Sequence, residues 1–366
     1  MNITKKVLFV IINVQNPRCI KRVNEFVDKG YDVKVYAFDR GGKMYNESVA
    51  FTIHYIKGFS NDLSYLKRLP VIYRGIQTVI RENKSANGIF YLFGLELTML
   101  FAFLAPTRRY IYEESDLTHT YLTSAVMRWA FERIDRWIIK RSLLTVFTSE
   151  GFRKYHYGDF VPTNTVIIPN RLPSVVKTIT RIPKEVHDNL RIGFVGHIRF
   201  EAVKSFAETF CRNNPQNEFH FYGDFASERE HELFDSLNQY GNCIFHGPFK
   251  TPNDLSSIYS GLDLVLATYD VKYNNVRYAE PNKLYEAIYY ETPIIVSEGC
   301  YLGDKVKQLN VGYTVDAMNE KAIMTLLEEI STDALDQKIQ SIRRLGTDYA
   351  INSNEQFFKR VSNYLK

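Results

Sequence analysis

The sequence predicts an α/β protein built from two doubly wound domains, each a parallel sheet between helices. Short apolar runs alternate along the chain with segments of helical period, the pattern of parallel sheets. The series breaks once, at the polar, proline-bearing stretch from Pro169 to Pro183, and then starts again. The length of 366 residues, 45% of them hydrophobic and 24% charged, suffices for two cores of about 150 residues each.

The amino terminus, M-N-I-T-K-K-V-L-F-V-I-I-N-V, sets two lysines ahead of an apolar run, as a signal peptide would. The run is short and β-branched, and Gln15, Asn16, Pro17 and Arg18 follow it instead of a small-residue cleavage site. It therefore reads as a first buried strand, Val7 to Ile12. Further strands are expected at Asp32 to Phe38, Ile89 to Phe93, Arg109 to Glu113 and Leu144 to Thr148. The apolar segment Ile89 to Ala105 is shorter than the ~20 residues of a spanning helix and carries Glu96, so a strand, a break at Gly94 and a buried helix are expected there. The second series has strands at Leu190 to Val195, Glu218 to Tyr222, Cys243 to His246, Leu262 to Ala267 and Pro293 to Val296. Phe357, Phe358, Val361 and Leu365 recur at helical spacing and predict a closing helix. The expected organisation is a Rossmann-like first domain over 1–170, a linker over 171–189, a Rossmann-like second domain over 190–345 and the closing segment 346–366.

Composition excludes several classes. The net charge of +5 is spread along the chain, which does not indicate nucleic acid. Cys19, Cys211, Cys243 and Cys300 lie far apart, with no zinc-type spacing around them. A reduced, cytoplasmic compartment fits that usage.

Open parallel sheets bind ligands beyond the carboxyl ends of their strands, so the motifs at strand exits carry the chemistry. In R-I-G-F-V-G-H-I-R-F-E-A-V-K a strand ends at Gly196, a helix follows, and Arg199 and Lys204 supply positive charge where a helix start favours phosphate. A tight turn before a solvated basic helix explains the same residues equally well. The second motif is A-E-P-N-K-L-Y-E-A-I-Y-Y-E, Ala279 to Glu291. Pro281 suits a first helical turn, Lys283, Glu286 and Tyr290 share one face, and Leu284, Ala287 and Ile288 line a neighbouring buried face. The lysine can complete a diphosphate site and the carboxylate can accept from a ribose diol. The alternative is a surface salt bridge worth only ~0.2 to 0.5 kcal/mol.

Together with N-P-R-C-I-K-R, V-I-I-P-N (Val166 to Asn170) and F-H-G-P-F (Phe245 to Phe249), these stretches resemble bacterial GT-B glycosyltransferases of the retaining family-4 type. The resemblance covers nearly the whole chain, and P-N-K-L-Y-E is its most specific piece. It implies two Rossmann-like domains facing a central cleft, and transfer of a sugar from a nucleotide sugar to an acceptor hydroxyl with retention. It assigns Gly196, Arg199, Lys204 and the run Asn282, Lys283, Leu284 and Glu286 to the donor, with Glu286 on the ribose. Relatives carry two glutamates with seven residues between them, whereas Glu280 and Glu286 have five. Glu280 thus departs from the pattern as the first glutamate, and Asn282 is a substitute for part of its role. Stabilising the leaving diphosphate is the main catalytic device expected.

On the acceptor side, Y-E-E-S-D-L-T-H places Glu114, Asp116 and His119 after a strand, where a base or a hydroxyl partner could sit. An ordinary helix-start histidine is the competing explanation for His119. Arg18 looks like part of the family's early acceptor loop, and a solvated helix start is its alternative. The stretch Ser124 to Arg141 mixes Trp129, Phe131, Trp137 and Ile138 with basic residues, which suits peripheral contact with the inner face of a membrane as well as core packing. No D-x-D pair occurs, so no cofactor or metal is expected at the donor. The partners expected are a nucleotide-sugar donor and a glycan or lipid-linked acceptor. A nucleotide-sugar 2-epimerase of the same architecture and a non-catalytic nucleotide-sugar-binding protein are the competing functions.

Overall fold

The computed structural model describes residues 6–39, 45, 49–60, 63, 65–85 and 87–365. The chain divides into two compact units, one made of 1–169 and 354–366 and the other of 170–353.

The first unit holds a seven-stranded sheet in the order β3-β2-β1-β4-β5-β6-β7. Its strands are β1 (Lys6–Ile11), β2 (Asp32–Phe38), β3 (Ile53–Ile56), β4 (Ile89–Phe93), β5 (Tyr110–Glu114), β6 (Leu144–Phe147) and β7 (Thr165–Ile167). All neighbours pair in parallel. Parallel strands are covered on both faces and therefore read as near-continuous apolar runs, as KVLFVI and IFYLF do. Between Phe93 and the helix Leu95–Leu104, Gly94 takes φ 83°, the break that the sequence requires there. The helix Glu355–Tyr364 packs on this unit: Phe357 and Phe358 lie with ring centroids 5.7 and 5.0 Å from Phe26, in one core cluster with Val361.

The second unit holds a six-stranded sheet in the order β10-β9-β8-β11-β12-β13. Its strands are β8 (Arg191–Val195), β9 (Glu218–Tyr222), β10 (Cys243–Gly247), β11 (Leu264–Ala267), β12 (Ile294–Ser297) and β13 (Gly312–Val315), again all parallel. Residues before β8 are tied to this unit. The Lys184 ammonium donates to the carbonyls of Tyr259 and Leu262 and to the Thr292 hydroxyl at 2.6–2.7 Å, and Ile182 N–H donates to Ser256 Oγ at 2.7 Å.

In both sheets the strand order reverses beside the first strand, between β1 and β4 and between β8 and β11. Such a reversal leaves a crevice where the flanking loops diverge, the usual ligand position in doubly wound sheets. No helix among the described residues is long and apolar enough to cross a membrane.

Candidate functional site

The second unit builds its crevice from bare backbone. Gly196 follows β8 with φ 135°, and Gly223 follows β9 with φ 133°, a region that side chains other than glycine's rarely enter. Gly196 N–H donates to Tyr222 O at 2.8 Å, and Gly223 N–H to Gly247 O at 2.7 Å. A Cβ on Gly223 would stand 2.2 Å from the Gly196 carbonyl oxygen. The exits of three adjacent strands therefore lie together with no side chain between them.

Lys283, at the start of the helix Lys283–Tyr289, reaches this floor. Its Nζ lies 2.8 Å from where a Gly196 Cβ would be, 4.7 Å from the Phe194 ring centroid and 5.8 Å from that of Tyr269. The residue is only 8% exposed. Among the described residues no carboxylate lies within 4.0 Å of the ammonium, and ring faces are its near neighbours, with Glu286 acting on it from further off. A desolvated cation with no carboxylate in contact, set against open backbone, suits an anion.

The expected division of this helix into a packed face and a ligand face is not what the structure has. Every residue from Lys283 to Tyr289 is buried, and Tyr290 is too, because the helix packs in one core cluster with Val176, Val265, Val296 and Ala350. A solvated salt bridge is thereby excluded. Glu286 Oε2 accepts from Tyr259 OH at 2.9 Å, and Oε1 accepts from the Asn282 amide. Burial pushes the Glu286 carboxyl above its usual range, while Lys283 and the two donors oppose the rise. Glu280 Oε1 accepts from Tyr285 OH and Lys305 Nζ, and its Oε2 is buried without a partner. The Leu284 side chain is core.

Arg199 is exposed, its guanidinium 4.6 Å from the Phe200 ring centroid, and it forms no ion pair among the described residues. The Lys204 ammonium instead bonds Glu208 at 2.8 Å, one turn further along its own helix. At the start of that helix, Glu201–Asn213, one amide is already engaged: Ala202 N–H donates to Asp270 Oδ1 at 3.0 Å. A carboxylate from the loop after β11 thus takes one of the several amides that a helix start leaves free. The sequence gives no hint of this because Asp270 is remote in the chain and carries no pattern.

In the first unit, Arg18 begins the helix Pro17–Asp28, and its amide donates to the Asn16 side chain at 3.1 Å. Asp116 is exposed. Glu114 and His119, expected beside it, are instead fully buried. They join two residues that sequence reasoning passed over. His156 Nε2 lies 2.9 and 3.1 Å from the two Glu114 oxygens, and His119 Nδ1 lies 3.4 Å from Asp135 Oδ2. Burial and the neighbouring Asp135 lift the Glu114 carboxyl to about 7, against the pull of His156. Burial pulls the His156 imidazole down, but the Glu114 carboxylate and Asp135 raise it on balance. Asp135 lies on a stretch whose composition suits core packing and His156 on one that carries no motif, and only tertiary contact shows them as a cluster. Glu113 faces the opposite side of the sheet, where Arg22 Nε donates to it at 3.0 Å.

Residues 176–345 match the family model described as glycosyl transferases group 1. No curated protein sequence matches the chain. Among solved structures, sucrose-phosphate synthase from Thermosynechococcus elongatus is 13% identical, with 98% of each chain covered and a TM-score of 0.75. Anabaena HepE in complex with UDP and glucose is 13% identical, covering 98% of this chain and 99% of its own at a TM-score of 0.67. A glycosyltransferase from Rickettsia africae is 12% identical, covering 99% and 98% at a TM-score of 0.67.

Proposed function

We propose that this chain, a glycosyltransferase of the GT-B fold whose second unit carries the group 1 domain, moves a sugar from a nucleoside-diphosphate sugar to an acceptor hydroxyl with retention, in the synthesis of a surface glycan or polysaccharide. The observation that carries this is the buried Lys283 ammonium, in contact with no carboxylate among the described residues, against the Gly196 backbone. HepE is solved with UDP-glucose, which makes uridine sugars the first donors to test. The bond from anomeric carbon to phosphate oxygen breaks with its electrons going to the diphosphate, the acceptor oxygen bonds to the same face, and the acceptor hydroxyl proton passes to the departing phosphate oxygen. Lys283 and Arg199 meet the growing charge, and stabilisation of that kind acts on the transition state more than on the bound donor. Lys204 joins them once it leaves Glu208. Glu286 keeps acceptor capacity for the ribose diol, since an ionised carboxylate has about four lone-pair sites and two are filled. On the acceptor side the proposal keeps Arg18 and Asp116. The buried positions of Glu114 and His119 favour a supporting place for them.

Nucleotide release should require both donor and acceptor. Nucleotide-sugar consumption without an acceptor, giving an epimer, would point to an epimerase, and tight donor binding with no release under any condition would point to a binding protein. Transfer should also proceed without a divalent ion at the donor, because side-chain cations meet the diphosphate. Rates in excess EDTA should equal those with magnesium or manganese. Activity that disappears in EDTA and returns with either ion, at unchanged melting temperature, would overturn this.

A cytoplasmic place with peripheral membrane contact is the second part of the proposal. Val126, Trp129 and Tyr121 are exposed at 76%, 59% and 56%, and the Arg133 guanidinium lies 4.9 Å from the Trp129 ring centroid. Trp137 is half-buried and stacks on Phe103 at 5.1 Å, so the insertable surface is the start of the helix Ala125–Arg141. Apolar tips beside arginines suit an anionic interface. The chain should float with vesicles of acidic lipid, and Val126→Ser with Trp129→Ser should release it. Equal flotation of the two folded proteins would remove the idea.

A further inference from the structure

We propose that Glu114, His119, Asp135 and His156 form a buried four-ligand site for a divalent d-block cation of the zinc class. The four side chains come from separate elements: the end of β5, the turn Thr118–Tyr121, the helix Ala125–Arg141 and the helix Glu150–Tyr157. They converge with side chains at most 1% exposed. One ligand atom each of Glu114, Asp135 and His156 lies within 4.8 Å of the other two. The closest separations run from 2.9 Å between His156 Nε2 and Glu114, through 3.4 Å between His119 Nδ1 and Asp135 Oδ2, to 4.0 Å between His156 Nε2 and Asp135 Oδ2. Tetrahedral zinc with bonds of about 2.0–2.2 Å spaces its ligands roughly 3.3–3.5 Å apart. Glu114, Asp135 and His156 therefore reach that spacing by shifts of roughly an ångström or less, whereas His119, close to Asp135 alone among the three, completes the set by turning its side chain towards the ion.

Two further observations point inward. Asp135 Oδ2 and His119 Nδ1 are buried without a hydrogen-bond partner, and they face each other. Their outer atoms are engaged: Tyr112 OH donates to Asp135 Oδ1 at 3.0 Å, and Tyr155 OH lies 3.3 Å from His119 Nε2. Outer partners of this kind fix the orientation of ligating carboxylates and imidazoles. His156 Nδ1 has no such partner.

Charge completes the case. Two carboxylates side by side in a buried cluster repel, and a dication with two neutral imidazoles brings the set to neutrality. Asp116 and Arg136 are the other charged groups acting on the cluster. Two imidazole nitrogens favour a zinc-class ion over magnesium or calcium. The ion would clamp a strand, a turn and two helices of the first unit, and its role is independent of donor chemistry.

The test uses the full chain purified without chelators or metal-affinity resin. Elemental analysis should find about one zinc per chain. Removal by prolonged dialysis against a strong chelator should lower the melting temperature by several degrees, with recovery on one equivalent of zinc and none on magnesium. Cobalt in place of zinc should give the intense visible bands of a tetrahedral site. Asp135→Asn and His119→Gln, near in shape to the originals, should abolish the zinc dependence. A folded wild-type chain that lacks metal and melts at the same temperature with and without zinc would overturn the site and leave a proton shared between His156 and Glu114 in its place. The wild-type measurements decide even if both variants fail to fold. Restored melting with one equivalent of zinc is also distinct from any restoration of transfer by magnesium or manganese at constant melting temperature.

Discussion

Replacing Lys283 with methionine is expected to lower kcat/KM by about 10²–10³-fold, the range for removing one preorganised donor from a developing oxyanion, while the melting temperature stays level or rises. The two effects have one cause. The ammonium is buried against Phe194 and Tyr269 with no carboxylate among the described residues within 4.0 Å, so the more distant Glu286 offsets only part of its desolvation cost in the unliganded fold. Methionine has similar length, and its sulfur packs well on aromatic rings. Removing a charge held for the transition state should therefore exchange activity for stability. Steady-state kinetics and a thermal melt on the same preparation check this. Activity within threefold of wild type, in a folded protein, would remove Lys283 from the donor site.

Glu286→Ala is expected to weaken donor binding and also to destabilise the protein. The sequence alone suggests an intact fold, because a ligand-face carboxylate could be cut away freely. The structure changes that expectation: truncation leaves Tyr259 OH and the Asn282 amide without acceptors inside the core, at about 1–3 kcal/mol for each buried group left unpaired. Glu286→Gln separates the two effects. Its carbonyl still accepts from Tyr259, so the fold should hold, while loss of the charged acceptor should weaken donor binding by about tenfold, near 1.5 kcal/mol. Calorimetry on the glutamine variant is the measurement, and an unaltered donor affinity would sink the ribose assignment.

The parts of the fold that could be read in the sequence are those with strong local causes. Val7–Ile11, Ile89–Phe93 and Arg191–Val195 are central strands, buried on both faces, and their residue types announce it. Ile53–Ile56, Thr165–Ile167 and Gly312–Val315 are short strands at or towards the sheet edges, with too few residues to stand out from the surrounding loops. The donor side shows the same division. The spacing of Lys283 and Glu286 on one helix is visible in the sequence, but their burial is not, because it depends on segments far off in the chain, such as those of Val176 and Ala350, that pack against the helix. The capping of Ala202 by Asp270 and the gathering of Asp135 with His156 are set by tertiary contacts between distant segments, and no local pattern encodes them.

The first unit is not a continuous piece of chain: its core includes Phe357, Phe358 and Val361, which arrive after the whole of the second unit. During synthesis, the sheet face around Phe26 therefore stays uncovered while 170–353 are made, a wait of about 10–40 s at ribosomal speed. The second unit, being contiguous, can close first. Apolar surface exposed for that long is where a chaperone would bind, and a product truncated before residue 354 should be recognised as unfinished even though its other half is complete.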